Sequence, residues 1–205
     1  MRHVLLPPTR KRKQFELRAL GLRDFAGVGS DQPLDPFALA EFARLLVVDF
    51  DSIEGLSAEA RAHLLGAAAD EWSGGACSRP LPNGWKLVIL NPAHGQQRNR
   101  ATLMEEIAHV FLGHAANRLA PVLSPAADGE KRIVTRDYNH DDEEAAYAVG
   151  AAALVPYASL RRLVAAGRSA QEIARHFRVS HQLVEYRIKV THLWAEYKAS
   201  SAARA

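Results

Sequence analysis

Residues 98–114 constrain the fold more than any other part of the chain. Ala101, Leu103, Met104, Ile107, Ala108, Val110, Phe111 and Leu112 make this run apolar on nearly every side of a helix. A helix of that kind is buried in protein. Yet the same run carries Glu105, Glu106 and His109, and charged groups on a buried helix require partners. The chain must therefore place this helix centrally, with something opposite its polar residues.

Residues four apart share a helix face, so Glu105 and His109 converge, and Glu106, three before His109, borders the same point. In the motif His-Glu-x-x-His the two histidines bind metal and the glutamate is the general base. Here Glu105 stands where the first histidine would be. Carboxylate oxygen also ligates zinc, but its added negative charge makes a bound water less acidic or favours a harder ion such as manganese. A third ligand is expected from Asp141-Asp142-Glu143-Glu144. Glu143 shares a face with Ala146, Tyr147, Gly150 and Ala153, small enough overall for close helix approach; Glu144 is the fallback. The competing readings are a solvated charged stripe for the first helix and dipole-favoured acidity at the start of the second. His114 lies about 140° round the helix from His109, which suits core or supporting hydrogen bonds better than direct ligation. Tyr138 and Tyr147 are phenols that could donate to an oxyanion, with packing as the plainer role.

The bulk properties fit such a site. The chain has 205 residues, 48% of them hydrophobic and 24% charged, ordinary for a globular protein. Its single cysteine, Cys77, excludes a disulfide framework and a cysteine-rich zinc site, and suits a reducing compartment. No run reaches the roughly 18 apolar residues of a membrane span, and Pro7-Pro8 interrupts any leader-like start. A soluble, cytoplasmic protein with no membrane partner is expected.

Charge divides the chain. Residues 1–29 carry 7 Lys/Arg against 2 Asp/Glu, residues 30–156 carry 10 against 18, and residues 157–205 carry 9 against 3. The reading is a basic N-terminal arm over 1–29, mobile with one short helix over 14–20, a catalytic-type domain over 30–160, and a helical module over 161–205. The basic ends are candidates for weak nucleic-acid contact or for contact with the acidic body. Asp35-Pro36 opens a helix, residues 46–50 suggest a strand, and Ser57 caps another helix. Pro82-Asn83-Gly84 reads as a turn before a strand over 85–90. Residues 132–136 suggest a short strand, and Asp141 or Asp142 caps a helix running to Val155. Ser169 and Glu172 form a capping box, and Ser180 caps a following helix, an arrangement like a helix-turn-helix. Its second helix would present His181, Gln182, Glu185, Arg187 and Lys189 outward. Few of these suit base reading, and Glu185 repels phosphate, so a structural or protein-binding pair is the stronger reading.

The order Val88-Ile89-Leu90-Asn91-Pro92, then the run from Arg100 to His114, then the acidic helix ending Ala153-Leu154-Val155-Pro156 resembles the ImmA/IrrE-type metallopeptidases. The resemblance covers roughly residues 34–160. It implies an α+β fold, a helix-rich minimal zincin with a small sheet followed by the helix-turn-helix-like module. It also implies Glu106 as base, His109 as metal ligand and Glu143 as the downstream ligand, with Glu105 a departure at the first-ligand position and Ala145 where the family writes a second glutamate. The implied cofactor is zinc, with manganese as the alternative. The implied activity is hydrolysis of a protein substrate, a transcriptional repressor among the candidates. The rival is a non-catalytic zincin scaffold that binds a repressor or DNA.

Overall fold

The computed structural model describes residues 4–77, 80–114, 119–124, 131–136 and 139–202. Helix α1 (Arg10–Phe25) begins at Thr9, whose hydroxyl accepts from Arg12 N–H. It is longer than the 14–20 helix expected of a mobile arm, and Phe15, Ala19 and Leu22 are buried in the main core. Helix α2 (Pro36–Phe42) starts as Asp35-Pro36 dictates, with the Asp35 carboxylate accepting from Phe37 N–H at 3.2 Å. Strand β1 (Leu45–Val48) and a single 3-10 turn (Phe50–Ser52) lead to α3 (Ala58–Leu65), capped by Ser57.

Strand β2 (Gly74–Ala76) turns back through Leu81–Gly84 into β3 (Lys86–Leu90). The sheet order is β1-β3-β2, with β1 parallel and β2 antiparallel to the central β3. Val88 and Leu90 alternate inward onto the core, as the period of two along a strand requires. At its end, buried Asn91 donates to Ala69 O (2.7 Å) and Trp72 O (2.9 Å) and accepts from Ala93 N–H. That carboxamide fixes where the chain leaves the sheet to enter α4 (Gln96–Leu112). Strands β4 (Leu119–Ser124) and β5 (Lys131–Arg136) form a separate antiparallel pair, so the strand expected over 132–136 is present.

Helix α5 (His140–Leu154) is capped by Asn139, whose side chain accepts from Asp141 and Asp142 N–H. The cap thus falls two and three residues before the aspartates expected to supply it, which occupy the first turn. Helices α6 (Tyr157–Ala165), α7 (Ala170–Phe177), α8 (His181–Val190) and α9 (Trp194–Ala202) complete the chain. The Ser169/Glu172 capping box is formed, and Ser180 caps α8. Arg178 takes the left-handed conformation (φ 57°) between α7 and α8.

Arg187 corrects the outward face expected of α8. It is buried at 2% exposure, donating to Val155 O and to the Glu16 carboxylate of α1. The central packing is α4 against α5, with α1 against α5. This is the helix-rich α+β architecture expected. Among the described residues no single helix is long and apolar enough to cross a membrane.

Candidate metal centre

Helix α4 buries Leu103, Met104, Ile107 and Ala108, but its last turn leaves Val110 and Phe111 38% and 45% exposed. The burial is therefore strongest through the turn that carries Glu105 and Glu106. Opposite it, α5 presents Ala146, Gly150 and Ala153, all buried. Gly150 shows how close the two helices come. A Cβ built there would lie 3.2 Å from Met104 O and 3.4 Å from Glu105 N, so a larger side chain would push the helices apart. The small face of α5 thereby holds Glu143, two turns earlier, against Glu105 and His109.

One ligand atom each from Glu105, His109 and Glu143 lies within 4.8 Å of the others. His109 Nε2 is 3.5 Å from Glu143 Oε2, and both side chains are about four-fifths buried, at 20% exposure. Glu105 is half-buried, and its pKa is pushed up to about 7, first by burial, then by the charges of Glu106 and Glu143. Two carboxylates thus meet one imidazole, with the charge of Glu106 felt at Glu105, and a divalent cation bound by oxygen and nitrogen fits that donor set.

Helix α4 ends at Gly113 in the left-handed conformation (φ 70°), and His114 N–H returns to His109 O at 3.0 Å. This reversal folds the His114 ring back onto His109. The two Nδ1 atoms are 3.0 Å apart, and His114 Nε2 is 3.5 Å from Asp142 Oδ1. This contact suits the supporting role expected of His114 rather than direct ligation, although the angular count did not name His109 as its partner, because His114 lies beyond the helix end. The glycine at 113 was the available signal.

The fallback Glu144 points elsewhere, accepting from Lys11 Nζ at 2.7 Å, which holds its carboxyl below the usual range. Glu144, His140 and Asp141 also bring ligand atoms within 4.8 Å of one another. Two of them are exposed, however, and Lys11 already balances Glu144. Tyr147 packs edge-on against Tyr186 of α8, with ring centroids 5.0 Å apart, as its packing reading expects. Burial, Tyr186 and Glu105 all raise its pKa. Tyr138 lies outside the described residues.

No curated protein and no solved structure matches the chain. The family model described as IrrE N-terminal-like domain, a peptidase family, matches residues 75–189. The match runs from β2 to the last turn of α8, more than half of the chain, and includes both helices of the candidate centre. The chain belongs to the ImmA/IrrE-type metallopeptidase family.

Proposed function

We propose that the protein is a metal-dependent peptidase whose centre is held by Glu105, His109 and Glu143, with Glu106 as general base. The observation that carries this reading is the convergence of those three ligand atoms within 4.8 Å, beside a fourth carboxylate-bearing position close enough to raise the Glu105 pKa. A divalent ion, when bound, supplies Lewis-acid polarisation of a scissile carbonyl and lowers the pKa of a water. Glu106 would serve as the base that accepts a proton from that water and passes it to the leaving amine. Glu105 and Glu143 balance the ion's two charges, and His109 adds a neutral nitrogen. Relative to a centre with two histidines and one carboxylate, this donor set is more negative and harder, which favours manganese alongside zinc. The substrate class is a folded or extended protein segment, with a transcriptional repressor as the regulatory form of that proposal.

The test is cleavage profiling of a proteome-derived peptide library by protein loaded with zinc or manganese. Cleavage by the loaded wild type is expected to fall by about 10²–10⁴-fold in Glu106→Gln while metal content stays unchanged. Persistent cleavage in Glu106→Gln would remove the assigned base. A loaded wild type that cuts nothing would favour the binding-scaffold alternative.

A further inference from the structure

The contacts that continue outward from His109 carry a further inference, which rests on the metal-centre reading. Glu143 Oε2 faces His109 Nε2 at 3.5 Å, His109 Nδ1 faces His114 Nδ1 at 3.0 Å, and His114 Nε2 faces Asp142 Oδ1 at 3.5 Å. These are three polar gaps in a row, and two neutral imidazoles carry only two N–H protons. The middle gap needs one of them, because two bare nitrogens would repel. The other proton can serve only one end.

A metal on His109 Nε2 decides which end, because it needs that nitrogen's lone pair. Asp142, whose other oxygen accepts from Asn139 Nδ2 at 2.8 Å, then faces the remaining N–H, on His114 Nε2. His109 then holds its proton on Nδ1, and its Nε2 lone pair faces Glu143 and Glu105. That lone pair is the one a cation held between Glu105, His109 and Glu143 would use.

We propose that His114 is a positioning residue that, anchored by Asp142, holds His109 in the tautomer that offers Nε2 to the metal. The local sequence explains how it gets there. Gly113 reverses the chain at the end of α4, so the residue after it meets the ligand that precedes the turn. Metal-binding histidines commonly donate their other ring N–H to a fixed acceptor, and loss of that acceptor typically costs 10–100-fold in affinity. Here the acceptor is a second imidazole rather than a carboxylate.

The experiment uses the full chain loaded with zinc and long-range proton–nitrogen correlation of the imidazole rings, paired with zinc competition against a chromophoric chelator. His109 is expected as the Nδ1–H form ligated through Nε2, and His114 as the Nε2–H form. His114→Phe keeps a ring of similar size but no nitrogen, and is expected to lose about 10–100-fold in zinc affinity. His114→Asn places a carboxamide oxygen near the former Nδ1 and is expected to recover most of that loss. Wild-type affinity in His114→Phe, or ligation of His109 through Nδ1, would overturn the proposal. So would equal losses in both variants that track a lowered melting temperature, which would make His114 a packing residue. A wild type that binds no zinc would instead remove the metal centre itself, and that result is read before any variant is made.

Discussion

Two of the places where the described residues hold charge away from water are finished differently. Between α1 and α8, Glu16 is 1% exposed and Arg187 2%. Glu16 accepts from Tyr157 N–H and Arg187 Nη2, both at 2.6 Å, and Arg187 also donates to Val155 O. Charge and hydrogen bonds both close there, as a buried pair requires. Between α4 and α5, Glu105 and Glu143 converge on His109, and burial with the charges of Glu106 and Glu143 raises the Glu105 pKa to about 7. The first site is complete within the chain. The second gathers carboxylates whose charges repel one another, and under the proposed reading a bound cation would balance them.

The largest expected effect comes from opening the complete pair. Glu16→Leu leaves Arg187 buried and uncompensated, and should cost about 3–5 kcal/mol in urea unfolding. Adding Arg187→Leu to it should restore most of that loss, because two apolar groups replace a matched pair. A single variant as stable as wild type would mean that the pair does not join α1 to α8 as described.

At the carboxylate cluster stability depends on pH. Glu105 has a folded pKa near 7 against an ordinary value of 4.5, so between those values the folded state binds more protons than the unfolded one. Stability of the metal-free protein should therefore fall as pH rises from about 4.5 to about 7, by on the order of 3 kcal/mol, and then level off. Unfolding midpoints measured at intervals across that window check it, and Glu105→Gln should remove the slope. Zinc at about 100 times its Kd should then stabilise the neutral-pH protein by about 2.7 kcal/mol, an effect that His109→Ala should abolish. A smaller change tests the scaffold: Gly150→Val, forced against Met104 O, should cost about 1–3 kcal/mol and weaken zinc binding as Glu143 is displaced.

Much of this contrast was legible in the residues, and the reasons differ by region. The α4 pattern gave a buried helix, and the small face of α5 pointed to Glu143 rather than Glu144; the structure brings Glu143 to His109 and sends Glu144 to Lys11. Those inferences rest on helical periodicity, which is local. The Glu16–Arg187 pair joins residues 171 apart in sequence, and nothing local marks either one as buried. Hence the first segment read as a basic arm, although α1 is packed in the core, and Arg187 read as an outward side chain of α8. The partner of His114, though not its supporting role, was hidden by a third cause. Its place depends on the left-handed turn at Gly113, which breaks the angular count that helix reasoning relies on.

The central claim is that Glu105, His109 and Glu143 together hold one divalent ion. Elemental analysis of protein purified without chelators, repeated after incubation with zinc or manganese and removal of the excess, tests it most directly. About one ion per chain, lost in His109→Ala, is the predicted result. Less than about a tenth of an ion per chain, not restored by added metal, would contradict it.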